Sequence, residues 1–118
     1  MTSTQTTEEW LLDYYGPGNP AATDLGHDHW TKPWVYGSGG VPGGVHVLHP
    51  KGPIVSGAYA DSRYCLGSIA FDLPAAADHG HTGAVWQVQS MDPLTVSPSL
   101  ACDCGDHGFI REGKWVPA

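Results

Sequence analysis

Phe109-Ile-Arg-Glu-Gly-Lys-Trp-Val116 decides how this 118-residue chain is to be read. Two short apolar-bearing runs, Phe109–Arg111 and Lys114–Val116, flank the dipeptide Glu112-Gly113. A two-residue connection with glycine in second place is a β-hairpin signal, because the tight turn needs left-handed backbone. Upstream, Leu94-Thr-Val96 reads as a short strand ended by Ser97-Pro98-Ser99. Ala84-Val-Trp-Gln-Val-Gln89 alternates, with Ala84, Trp86 and Val88 on one face. Tyr64-Cys-Leu-Gly-Ser-Ile-Ala-Phe71 is a further strand in which Gly67 suggests a bulge or a close backbone approach. Residues 61–118 are therefore expected to form a compact antiparallel β domain.

The first 60 residues read as an elaboration of the same structural domain. Thr6-x-x-Glu9 is a capping box and Gly16-Pro17 a stop, which predicts a helix over Thr7–Tyr15. On it Leu11 and Tyr15 share one face, and Trp10 and Tyr14 another. Gly16 to Gly44 is dense in turn formers and reads as a loop with one strand at 34–36. Val45–His49 and Ile54–Tyr59 read as strands joined by a Pro/Gly turn, and Leu73–Gly83 as a loop. The expected fold is mainly β: a small antiparallel sheet domain with one short N-terminal helix and long Gly/Pro-rich loops.

Charge narrows the function classes. Twelve acidic residues against five basic ones give a net charge of −7. Nucleic-acid affinity comes from clustered Lys and Arg, which this chain lacks. Its acidic residues form no stripe that would mimic DNA. No apolar run approaches the ~20 residues of a membrane span, and the N-terminus has neither the basic nor the apolar region of a secretory signal. A cytoplasmic protein is expected. A chain this short has a thin core margin, which a metal or a homo-oligomeric interface would strengthen.

Three cysteines, two of them one residue apart, suit thiolate ligation better than a disulfide framework. Cys102-x-Cys104-x-x-His107 offers two thiolates and an imidazole in one turn, and Cys65 is the natural fourth ligand. The predicted set Cys65, Cys102, Cys104 and His107 is a closed Cys₃His zinc corner of structural type. The plainer alternative is that the cysteines are small buried residues and His107 holds a loop. His27-Asp-His29, His46-x-x-His49 and His79-Gly-His81 are further pairs. A second metal or ligand site at His27, His29, His79 and His81 would make the protein a small metalloenzyme. Histidines in Gly/Asp-rich loops are, however, more often solvated. Trp30, Trp34, Tyr36, Trp86 and Trp115 could form a stacking surface but more economically supply the core. Trp10, Tyr14, Trp30, Trp34 and Tyr36 are the candidate partner surface. There is no phosphate loop, dinucleotide fingerprint or nucleophile elbow. A Cys104–His107 dyad lacks an orienting group, so no catalytic residue is assigned.

The order Tyr64-Cys-Leu-Gly67, Trp86, Pro93-Leu-Thr-Val-Ser-Pro-Ser-Leu100, then Cys104-Gly-Asp-His-Gly-Phe-Ile-Arg-Glu-Gly-Lys-Trp115 resembles a known pattern. It is similar to that of the DUF6527 group, small bacteriophage and prophage proteins of unassigned function. The resemblance covers about the last 55 residues. It implies a phage-encoded zinc-binding domain, with Cys65 on the upstream element and Cys104 and His107 on the closing one. The chain departs from the pattern by having one upstream cysteine where relatives often have two, and an additional Cys102. The resulting expectation is a non-enzymatic accessory protein in the host cytosol that binds a protein partner, such as a host factor. A minor virion component and the small metalloenzyme are the alternatives.

Overall fold

The computed structural model describes residues 5–34, 42–54, 59, 61–78 and 80–118. The chain is mainly β. Helix α1, Thr7–Tyr15, comes first and has the boundaries that its caps dictate. Thr6 accepts from the Glu9 N–H at 3.1 Å, and the Glu9 carboxylate accepts from the Thr6 N–H at 3.3 Å. Leu11 is fully buried, whereas Trp10 and Tyr14 stack on each other and stay exposed. The helix lies against the first sheet. The bidentate pair of Glu8 with Arg63 ties it down a second time.

That sheet is antiparallel in the order β1 (Thr23–Gly26), β2 (His29–Pro33), β3 (Gly44–Pro50) and β4 (Tyr64–Ala70). The β1–β2 hairpin corrects the expectation of a loop from Gly16 to Gly44. The Asp24 carboxylate accepts from the Gly26 N–H at 2.8 Å, and Gly26, His27 and Asp28 all adopt positive φ. Asp and His tolerate that region better than most side chains, so two ordinary residues make a tight hairpin turn there. Trp34 follows β2 and continues the ladder by donating its N–H to the Gly44 carbonyl at 3.0 Å. The rest of the strand expected at 34–36, Tyr36 included, lies outside the described residues, as do residues 55–58 of the strand expected at Ile54–Tyr59.

Beyond β4 a short helix α2, Pro74–Asp78, occupies part of the expected loop. Five strands form the closing half: the hairpin β5 (Gln87–Met91) with β6 (Leu94–Ser97), then β7 (Leu100–Ala101), β8 (His107–Arg111) and β9 (Lys114–Pro117) in one antiparallel sheet. Glu112 and Gly113, both at positive φ, make the turn between β8 and β9 as expected. Phe71 and Trp86 bridge in parallel, joining the first sheet to the segment leading into β5.

The parts of the chain before and after residue 60 share one core. The core draws Leu25, Val45 and Val47 from the first half, and Ile69, Phe71, Val96, Ile110 and Trp115 from the second. β3 and β4, which lie on either side of that residue, pair over seven positions. Trp115 belongs to this core, and Trp86 packs against it half-buried, while Trp30 and Trp34 are only partly covered.

Candidate metal centre

Three backbone segments meet at one corner. The β3–β4 ladder sets His49 directly opposite Cys65. Val45, Val47 and His49 alternate along β3, so the face that fills the core also presents the His49 ring. The third segment is the loop between β7 and β8. The Cys102 N–H donates to the Asp106 carbonyl at 2.8 Å, and the Gly105 N–H to the Cys102 carbonyl at 2.9 Å. Gly105 sits at φ +97, which a side chain would rarely adopt. This small closed loop carries Cys102 and Cys104 toward the sheet.

His49, Cys65, Cys102 and Cys104 form a cluster whose ligand atoms all lie within 4.8 Å of one another, and this cluster could hold a metal ion. Cys65 Sγ is 3.7 Å from Cys102 Sγ, and Cys104 Sγ is 3.5 Å from His49 Nε2. All three cysteines are free thiols. The His49 Nδ1 lies 3.1 Å from the Val47 carbonyl, so that nitrogen carries the proton and Nε2 keeps its lone pair for the cluster. Burial lowers the His49 pKa against the opposing pull of Asp106 and the Val47 hydrogen bond, which keeps the ring a neutral ligand at neutral pH.

The thiols differ in their surroundings. Burial pushes the Cys65 thiol up to about 12, with the neighbouring thiol of Cys102 adding to it. Burial also raises Cys102. At Cys104 burial opposes ionisation, but the N–H groups of Gly52 and Asp106 and the two other thiols outweigh it and bring the pKa down. The Gly52 N–H donates to Cys104 Sγ at 3.3 Å, and the Ile54 N–H to the Cys104 carbonyl at 2.8 Å. The segment after β3 thus clasps the cysteine loop. The clasp is close: a Cβ on Gly52 would stand 2.5 Å from both Asp106 N and Cys104 O.

His107 is not part of the cluster, which corrects the expected ligand set. The loop closes at the Cys102–Asp106 pair, one residue short, and His107 already belongs to β8, paired with Ala101. Its side chain is exposed and its Nε2 lies 2.9 Å from Ser99 Oγ. The expected thiolates Cys65, Cys102 and Cys104 do come together, and His49 takes the fourth place.

The other histidines do not assemble a second cluster among the described residues. His27 is an exposed turn residue, and His79 lies outside the described residues. His29 is buried, with Nδ1 at 2.7 Å from the His27 carbonyl and Nε2 at 2.8 Å from an Asp106 carboxylate oxygen. Its ring stacks on Trp115 at 4.1 Å and lies parallel to His49 at 5.9 Å, so it braces the metal corner from behind. His81 bonds the Ala84 carbonyl at 2.8 Å. His46 pairs with Ser68 across the β3–β4 ladder at 2.8 Å.

Beside the cluster lies an open cavity of about 270 Å³. Val47, Ile69, Trp86 and Leu100 line its apolar side, and Cys102, Asp103 and Asp106 its polar side. Comparison with protein-family models, curated proteins and solved structures finds no match to the chain, so the site is read from its own geometry.

Proposed function

We propose that this protein is a phage-type accessory module in which a structural zinc ion fastens the β domain, and that it acts by binding a protein partner such as a host factor. The observation that carries the reading is the four-donor cluster. Tetrahedral zinc with Zn–S near 2.3 Å and Zn–N near 2.0–2.1 Å places two sulfurs about 3.8 Å apart and a sulfur and nitrogen about 3.6 Å apart. Cys65 Sγ and Cys102 Sγ stand 3.7 Å apart, Cys104 Sγ and His49 Nε2 3.5 Å apart, and the remaining donor pairs lie within 4.8 Å. Three thiolates with one imidazole are a donor set that zinc favours, and four protein donors leave no position for a substrate on the metal. This supports a structural role over a catalytic one.

Support for partner binding comes from helix α1. Trp10 is 40% exposed and Tyr14 49% exposed, and they stand together on the outward face of a helix held in place by buried Leu11. Aromatic residues presented on a rigid element are typical anchors of protein interfaces.

The test has two arms. The full chain, purified without added metal, should contain one zinc per chain, and chelation should lower its melting temperature. Zinc well below stoichiometry with unchanged melting would remove the structural-metal half. For the second arm, the chain and its Trp10→Ala/Tyr14→Ala double variant serve as baits in host lysate. A specific protein retained by the first and lost by the second supports the reading. Equal retention by both would refute α1 as the contact, and recovery of the chain in purified virions would favour a particle component.

A further inference from the structure

The cavity beside the metal corner opens to solvent between Trp86 and the cysteine loop. We propose that it receives the side chain of a lysine from a basic segment of the protein partner; the idea rests on the binding-module reading and names the chemistry of that partner. At about 270 Å³ the cavity falls just under the roughly 300–1,000 Å³ of pockets that take drug-sized ligands. One long side chain suits that size.

The lining sorts itself along the length of such a chain. Val47, Ile69 and Leu100 offer apolar wall for a methylene stem. Trp86 adds an aromatic ring whose position is fixed, because its Nε1–H donates to the Ser99 carbonyl at 3.3 Å. An ammonium group near such a ring is attracted by its quadrupole. Trp115 also borders the cavity, but His29 is stacked on it, which leaves Trp86 as the aromatic partner.

The polar side carries negative charge. Asp103 is exposed and has no hydrogen bond or ion pair among the described residues. Asp106 stands beside it with one carboxylate oxygen on His29. Cys102 is a thiolate when the cluster holds its metal, and three thiolates around a divalent ion leave the complex one negative charge. No Lys or Arg lines the cavity. An anionic group would meet these charges head-on, and a neutral one would gain the walls alone. An ammonium on an aliphatic stem gains the walls, the ring and Asp103. Lysine's stem of four methylenes covers more of the Val47, Ile69 and Leu100 wall than arginine's three, which favours lysine over arginine. The net charge of −7 would steer a basic segment toward the chain.

The full chain, labelled with ¹⁵N and as purified, should be titrated with a capped five-residue glycine peptide bearing a central lysine. The Trp86 indole N–H signal should move saturably while that of Trp10 stays put. Replacing lysine by norleucine should weaken the response about threefold or more, glutamate should abolish it, and Asp103→Asn should weaken the lysine response about threefold or more, the scale of an exposed ion pair. No saturable change at Trp86, an equal response to norleucine, or an unchanged titration in Asp103→Asn would overturn the proposal. A response to butylammonium as strong as that to the peptide would assign the cavity to a small amine and overturn the partner segment. Zinc content measured on the same sample keeps the two readings apart. A zinc-loaded chain without the Trp86 response fails the lysine site alone, and a zinc-free chain fails the structural-metal reading whatever Trp86 does.

Discussion

His49 and Cys65 face each other across the β3–β4 ladder, and this one pairing turns a cysteine loop into a four-donor site. The two residues are separated by a long connection, yet the ladder fixes them as neighbours on the face that also carries Val45 and Val47. The metal corner is therefore an extension of the core face. Its position depends on strand register, and a slip of one residue would turn His49 away from the cluster.

The first prediction separates the two candidate histidines. His49→Ala should drop the metal content well below one per chain, whereas His107→Ala should leave it unchanged. If the metal is present at about a thousand times its dissociation constant, its loss removes about 4 kcal/mol. At about 4 °C per kcal/mol for a domain of this size, the melting temperature should fall by about 15 °C. Elemental analysis and a thermal scan of the two variants decide it. Metal loss in His107→Ala with retention in His49→Ala would reverse the assignment.

A second prediction concerns the clasp on the cysteine loop. Gly52 donates its N–H to Cys104 Sγ, and a Cβ there would collide with Asp106 N and Cys104 O, both backbone atoms. Gly52→Ala should therefore push the loop off the sheet and weaken metal binding by about 10–100-fold, the usual cost of disturbing a group that orients a ligand. Competition with a chromogenic chelator measures this. An affinity equal to that of the unaltered chain would show that the clasp is not needed.

How far the sequence revealed this site follows from what each residue depends on. Helix α1 was legible because Thr6, Glu9 and Gly16 act within a few residues of one another. The β8–β9 hairpin was legible for the same reason, through Glu112-Gly113. Cys102 and Cys104 announce themselves by spacing. His49 does not, because its partner Cys65 lies across a connection whose length leaves the register open. The alternation Val45, Val47, His49 was the available signal, since it puts the ring on the core side. His107 is close to the cysteines in sequence, but the loop closes before it. The β1–β2 hairpin was hidden because His27 and Asp28 fill turn positions where Asn or Gly is the usual mark.

The third prediction tests how α1 is held. Leu11 is fully buried under the helix, so Leu11→Ala should cost about 2–5 kcal/mol. Trp10→Ala removes an exposed ring and should change stability by less than about 0.5 kcal/mol. Urea unfolding of both variants compares the two. Similar losses would mean that the outward aromatic face is part of the packing and not available to a partner.

The fourth prediction is a pH dependence at the other anchor of the helix. The Glu8 carboxylate accepts from the Arg63 backbone N–H at 2.8 Å and from its Nη2 at 2.8 Å. The side-chain hydrogen bond from Arg63, then its backbone N–H, hold the Glu8 pKa below its ordinary value of 4.5. Because the folded value is the lower one, the unfolded chain takes up its proton first as the pH falls. The contribution of Glu8 is thus fully present above about pH 5 and disappears as the pH drops through the folded value. Glu8→Gln should melt slightly below the unaltered chain at pH 7, and the two should converge on acidification. Arg63 is largely exposed, so added salt should also narrow the gap. Parallel melting curves from pH 7 to pH 3 read the effect directly, and a gap that stayed constant over that range would show that the pair contributes nothing through its charge.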